Sequence, residues 1–371
     1  MQRVKTENFA GIITALILIS GCGQNSVPSL PQGLVNPEAA AQVKHSGSWM
    51  LPEAKHEDLV YAPDNGQHTR GLSGSRSVVK TSQLLFISDT ITATKGSVDI
   101  LTTPGMKFKR RVKVIGDLVG LCSDASANVW MTNNETFQTT QISRTGKVLK
   151  QLADHFGLPY GCAINPKNGD LAVTNVITLG SPPPALLVYP GASGTPKPYF
   201  NADLYGLYFA GYDPSGDLFV DGTSQIGAFS LAELPAGGNK LMPISITGET
   251  IYEPGMVQWY TAGNYLAVGD QNCRDLGYSC IYWLAISGST ATITGRTDLE
   301  RYDGRPACAV IQGVITTING TSYLAGGDYE GRCGRHRSSV DLWAFPAGGI
   351  PTNYNNTAHF ALPAGAAVSS E

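Results

Sequence analysis

The apolar positions of this chain fall into short runs separated by turn residues. No stretch of ten or more residues has a helical period with caps. One kind of run occurs six times: Leu84-Leu85-Phe86-Ile87-Ser88-Asp89, Asn128-Val129-Trp130-Met131-Thr132-Asn133, Asp170-Leu171-Ala172-Val173-Thr174-Asn175, Asp217-Leu218-Phe219-Val220-Asp221, Tyr265-Leu266-Ala267-Val268-Gly269-Asp270 and Tyr323-Leu324-Ala325-Gly326-Gly327-Asp328. Each is an apolar strand closed by one acid or amide. The closers Asp89, Asn133, Asn175, Asp221, Asp270 and Asp328 are 44, 42, 46, 49 and 58 residues apart. A strand-built repeat of about 40–50 residues predicts a propeller or a solenoid.

Around each closer the chain offers four strands, A to D from the channel outward. Val119 to Ser123, Asn128 to Asn133, Thr139 to Ser143 and Val148 to Leu152 make the clearest set. The turn Asp213-Pro214-Ser215-Gly216 of a later copy has Pro to preset φ and Gly to supply the positive φ. The first copy shows strands B to D at Leu84–Ser88, Val98–Thr102 and Arg111–Ile115, so its inner strand is expected from the polar stretch 71–80. The pattern therefore predicts an all-β, six-bladed propeller over residues 57–371, or seven blades if residues 45–80 hold another partial one. Strand-B closers are expected to cap the B–C loops through hydrogen bonds to backbone N–H groups.

The N-terminus follows a different pattern. Arg3 and Lys5 precede an apolar core of eleven residues, Phe9 to Ile19, too short to span a bilayer. It ends in Ile19-Ser20-Gly21-Cys22, which resembles the bacterial lipobox. That resemblance implies a signal peptide over 1–21, lipidation (palmitate among the acyl chains) at Cys22, and a tether over 22–56. Residue Gly23 is not the Asp that retains some lipoproteins in the inner membrane. The expected location is the cell envelope, on the periplasmic side of the outer membrane or the cell surface. The tether is rich in Pro, Ser, Ala and Gln, and its Trp49-Met50 pair is suited to dock back on the folded part.

Composition sharpens this picture. The 43 Gly, 22 Pro and 16 Tyr, with 15% charged residues, fit many short strands joined by turns. The net charge of −3 becomes −4 once Arg3, Lys5 and Glu7 are removed, which argues against nucleic-acid binding. Besides Cys22 there are six cysteines, none at zinc-like spacing, so no thiolate metal site is expected. In an exported chain they predict disulfides, with fifteen connectivities open to six cysteines. Cys273 and Cys280 bracket one B–C loop. Cys308 begins a strand A, and Cys333 lies in the B–C loop of the same blade. Cys122 and Cys162 remain, and their one-residue offset on neighbouring A strands turns them toward each other. All three bridges are expected on one face.

The repeats are similar to those of YVTN- and NHL-type propellers and of the six-bladed group that contains gluconolactonases. Asn128 to Asn133, Leu171 to Asn175, Tyr189-Pro190-Gly191 and Phe345-Pro346-Ala347-Gly348 are the residues that carry the likeness. Propeller lactonases of that group hold a divalent cation with Glu, Asn and Asp at the strand-A starts. Here only Glu253 and Asp117 are of the right type, too few for a calcium cage. No Gly-x-Ser-x-Gly elbow is present, and of the histidines only His336 could reach over the rim as a lyase base. The favoured expectation is a non-enzymatic binding scaffold without cofactor, whose partner is an envelope protein, a glycan or a small anionic ligand. The alternative is a lactonase- or lyase-like enzyme, in which a divalent metal would be needed. Candidate ligand-binding residues sit on the face of the B–C and D–A loops: Tyr160, Glu253, Arg274, Tyr329, Glu330, Arg332, Arg335 and His336. Unequal loops on that face (Ser181-Pro182-Pro183-Pro184, Gln271 to Ser279, Tyr329 to Ser339) point the same way.

Overall fold

The computed structural model describes residues 83–92, 94–178, 184–334 and 337–370. The leader, Cys22, the tether, the stretch 71–80, most of the 181–184 insertion, and Arg335 and His336 lie outside these residues.

Six four-stranded antiparallel meanders, here called blades 1 to 6, are built from the described residues. Blade 1 contains β1 (Leu84–Thr92), β2 (Lys95–Thr102) and β3 (Phe108–Val114). Blade 2 contains β4 (Leu118–Ser123), β5 (Val129–Asn133), β6 (Gln138–Ile142) and β7 (Val148–Ala153). In blade 3 these are β8 (Gly157–Ile164), β9 (Leu171–Thr178), β10 (Ala185–Tyr189) and β11 (Lys197–Phe200). Blade 4 has β12 (Gly206–Tyr212), β13 (Leu218–Thr223), β14 (Phe229–Leu234) and β15 (Met242–Thr247). Blade 5 has β16 (Pro254–Tyr260), β17 (Tyr265–Asp270), β18 (Cys280–Ser287) and β19 (Thr290–Asp298). Blade 6 has β20 (Val314–Ile318), β21 (Thr321–Asp328), β22 (Ser339–Ala344) and β23 (Asn353–Asn355). The last strand, β24 (Pro363–Ser369), returns to blade 1 and is its inner strand.

That return corrects the expectation for residues 71–80. The inner edge of β1 is taken by β24, in a register that sets Leu84 against Ser369 and Phe86 against Ala367. Closing the ring with the C-terminal strand covers the inner edge of β1 and ties the two ends of the described chain together. The six inner strands β24, β4, β8, β12, β16 and β20 contact one another in that cyclic order around a central channel.

Burial follows from this layout. Middle strands are covered on both faces by neighbouring blades, so β5 (VWMTN) and β10 (ALLVY) are buried at every position. They read as continuous apolar runs for the same reason that strands of a doubly covered sheet do. The outer strand β7 (VLKQLA) is covered on one face and is mostly exposed or half-buried. The core is therefore divided into six apolar clusters, one at each seam between blades. Between blades 4 and 5 the seam extends outward, because β15 and β19 pair in parallel from Ser245–Thr290 to Thr247–Thr292.

Around the channel the seams are polar. In blade 2 the Thr132 hydroxyl donates to Tyr160 O of blade 3 at 2.6 Å and accepts from Gly120 N–H at 2.8 Å. Thr174 repeats this in blade 3, with Tyr208 O at 2.5 Å and Gly161 N–H at 2.8 Å. Ser88 does so in blade 1, with Val119 O and Gly365 N–H each at 2.7 Å. The inner strands bulge here, between Leu118 and Leu121 and between Pro159 and Cys162, and the bulge points these backbone groups at the next blade. Only glycine fits: a Cβ at Gly120 would stand 2.4 Å from Tyr160 O, and one at Gly161 2.4 Å from Tyr208 O.

Candidate functional site

Strand-B closers lie at the face formed by the B–C and D–A loops, and all six are buried. Asp89 accepts from Ala361 and Leu362 N–H, each at 2.8 Å. Asp328 accepts from Cys308 N–H at 2.7 Å and Ala309 N–H at 3.1 Å. Asp270 takes Tyr252 and Glu253 N–H at 3.0 Å and Asn272 N–H at 2.9 Å. Asp221 joins two blades, accepting from Phe209 N–H at 2.6 Å and Gly255 N–H at 3.1 Å. Asn133 accepts from Glu135 and Thr136 N–H, both at 3.1 Å, and donates to Ile115 O at 2.7 Å. Asn175 is buried in the matching position of blade 3. Among the described residues, these acceptors thus hold mainly the D–A segments that feed the inner strands, and the B–C loop at Asn133 and Asp270. Loss of water drives their acidity down: burial pushes the Asp221 carboxyl well above the usual range, and raises Asp89 to about 6.

The candidate binding residues on this face separate into paired and buried groups. Tyr160 stands at the channel end with its ring edge-on to Tyr208 (5.1 Å) and Phe209 (5.4 Å). Glu253, at the approach to β16, is bridged to Arg332, whose Nη2 lies 2.8 Å from Oε1 and 2.7 Å from Oε2. Arg274 in the blade 5 loop pairs with Glu249 at 3.3 Å, and Arg296 reaches the same carboxylate at 2.8 Å. Tyr329 opens the blade 6 loop, its N–H bonded to Ala309 O at 2.9 Å.

Glu330, one of the candidate ligand-binding residues of the blade 6 loop, is fully buried and forms an ion pair with Arg301, itself 4% exposed. The blade 6 loop folds inward as a 3-10 turn, Glu330–Cys333, and carries the side chain beneath the surface. Burial, then the neighbouring Asp328, raise its carboxyl to about 7. At the strand-A starts, the Glu253 carboxylate is held by Arg332. Among the described residues, the one group of three metal-ligating side chains with atoms within 4.8 Å is Cys273, Cys280 and Asp298, and its two sulfurs are bonded to each other.

Among the described residues there are three disulfides, Cys122–Cys162, Cys273–Cys280 and Cys308–Cys333, with Cα separations of 5.7, 5.6 and 5.9 Å. Two brace loops of the B–C face. The third does not share that face, because Cys122 and Cys162 lie near the ends of β4 and β8, toward the A–B turns. Bridges of this kind belong to an oxidising, extracytoplasmic compartment. No described helix is long and apolar enough to cross a membrane, which says nothing of a β-barrel.

The sequence reading missed a cavity at the opposite end of the channel. It has a volume of about 570 Å³ and is lined by inner-strand ends and A–B turns, with Cys122 and Cys162 in its wall. Its inner limit is marked by Gln312, whose amide bonds Leu121 N–H at 2.8 Å and Leu121 O at 3.0 Å. No pattern in the sequence signals this cavity, since its walls come from six separate blades.

No family model matches the chain, and no curated protein matches it. Solved structures do. A crystal structure of a nidogen/laminin complex contains a chain with TM-score 0.56 and 12% identity, covering 77% of this chain and 98% of that one. A protein of unknown function from Bacteroides caccae aligns with TM-score 0.55 and 14% identity, covering 78% and 100%. TolB from Acinetobacter baumannii aligns with TM-score 0.50 and 11% identity, covering 78% of this chain and 66% of that one. At these identities the likeness concerns architecture alone: the chain has the β-propeller fold.

Proposed function

We propose that the chain is a membrane-anchored, extracytoplasmic β-propeller that acts as a non-enzymatic binding scaffold. Its partner is an envelope protein, received on the B–C and D–A loops of blades 3 to 5. The observation that carries this reading is the distribution of exposed apolar side chains. Ile177, Tyr205, Ile226, Tyr252 and Leu276 all stand on that side of those three blades, with Ile226 91% exposed and Tyr205 64%. Clustered exposed apolar groups on rigid loops mark interaction surfaces, and aromatic residues are favoured at such surfaces.

Two further observations support the choice of partner. Arg274 and Arg332 already have carboxylate partners, so an anionic sugar or phosphate would have to displace Glu249 or Glu253. The same pairing weakens the lactonase-like alternative, which needs Glu253 free. The described chain also begins on the other face, where Gln83 Nε2 bonds Thr317 O at 3.0 Å. The chain thus enters the described fold on the face opposite the B–C and D–A loops. A similar fold in a nidogen/laminin complex is in keeping with protein recognition.

Site-specific photo-crosslinking in the native envelope tests the reading. A crosslinker at Ile226 should yield a discrete adduct that Tyr205→Lys abolishes, while one at Thr261, on the opposite face, should not. Equal labelling from both positions would sink the proposal.

A further inference from the structure

The cavity at the A–B end of the channel is independent of the surface just described. Five inner strands each contribute a half-buried side chain to its wall: Cys122 from β4, Ile164 from β8, Tyr212 from β12, Trp259 from β16 and Val314 from β20. The sixth strand, β24, contributes the small residues Ala366 and Ala367. Four of the five half-buried groups are apolar or aromatic, and Cys122 presents a disulfide sulfur in place of a thiol.

Two glutamines in the wall are committed to the backbone, and two charged side chains each hold a backbone group of a neighbouring turn. Gln258 bonds Ile315 through both amide atoms, donating to its O at 2.8 Å and accepting from its N–H at 2.7 Å. Gln312 does the same to Leu121. Asp213 accepts from Asp217 N–H at 2.9 Å, and Lys167 donates to Ser215 O at 3.2 Å. The two charged side chains of the wall, Lys167 and Asp213, are of opposite sign, so a charged ligand would lose water here without meeting a net counter-charge, which is costly. An uncharged, mostly apolar molecule would not. The volume of about 570 Å³ lies within the usual range for small-molecule sites.

We propose that this cavity is a second binding site, for a small uncharged apolar or aromatic molecule entering from the face opposite the protein-docking loops. Trp259 is the aromatic wall and is itself stacked on Phe219, with ring centroids 5.9 Å apart, so it is held in place before a ligand arrives.

The test uses the full mature chain and the uncharged fluorescent probe N-phenyl-1-naphthylamine. The probe should bind one per chain with a blue-shifted emission and quench Trp259. Val314→Trp, which fills the cavity, and Ile164→Glu, which adds a charge, should each weaken binding by about tenfold or more. Ile350→Glu, exposed and outside both proposed sites, should leave binding unchanged. Circular dichroism melts confirm that each variant is folded, and two different substitutions guard against the failure of either. Probe affinity unaffected by both cavity variants, or no uptake at all, would overturn the proposal. So would uptake seen only after Trp49 and Met50 are replaced by serine, because the chain's own N-terminal segment would then be the occupant.

Discussion

Gln312 and Leu121 are 191 residues apart in sequence, and the glutamine amide satisfies both backbone groups of the leucine, at 2.8 and 3.0 Å. The amide passes over Gly365 of β24, where an added Cβ would stand 2.9 Å from its Oε1. One side chain thus links blade 6 to blade 2 across the strand that closes the ring. Gln312→Ala would leave a buried N–H and C=O without partners, each costing about 1–3 kcal/mol. We expect a loss of about 2–4 kcal/mol in urea unfolding, and no rescue by Gln312→Glu at neutral pH, because its carboxylate would accept from Leu121 N–H but face Leu121 O without a donor.

The hydroxyl bridges at the seams lead to a second expectation. Thr132→Val and Thr174→Val keep side-chain shape but remove both hydrogen bonds of each bridge, so each should destabilise by about 1–3 kcal/mol. Thr→Ser at the same positions should recover most of that stability. Equal melting temperatures for the Val and Ser variants would mean that packing, and not the bridge, holds the seam.

Glu330 sets a pH dependence. Its carboxyl is raised from 4.5 to about 7 by burial and then by Asp328, so the folded state holds a proton that the unfolded chain releases. The resulting stability is complete below about pH 4.5 and is lost as pH rises to about 7. Asp89, raised to about 6 by burial and Asp99, adds a term of the same sign over a lower window. Glu330→Gln should flatten the fall in melting temperature between pH 5 and 8. A variant with an unchanged pH profile would contradict this.

For the disulfides, loop length ranks the expected losses. Sequence separations are 40 for Cys122–Cys162, 25 for Cys308–Cys333 and 7 for Cys273–Cys280. On the loop-entropy model, paired Cys→Ser changes should cost roughly 4, 3.5 and 2.5 kcal/mol in that order. Guanidinium unfolding of the three double variants checks the ranking.

The proposed anchor is testable by fractionation. Cys22→Ser should release the protein from the membrane fraction or block its processing. Wild-type fractionation and mobility would remove the anchor from the functional reading.

Much of the fold was legible because its determinants are local. A strand buried on both faces is apolar except where a polar side chain has a fixed partner, so the apolar runs closed by Thr-Asn at Val129–Asn133 and Leu171–Asn175 announce a middle strand. The period of their closers, and the one-residue offset of Cys122 and Cys162, follow from strand alternation and needed no tertiary information. Other features were set by contacts that no local pattern encodes. The strand completing blade 1 came from residues 363–369 instead of 71–80, because ring closure pairs positions far apart in sequence. Glu330 looked like a surface acid in a charged loop, and only the inward fold of that loop against Arg301 buried it. The apolar rim from Ile177 to Leu276 and the channel cavity are each assembled from several blades. Their chemistry is carried by single residues, but their existence depends on the angle at which six sheets meet, which only the assembled ring determines.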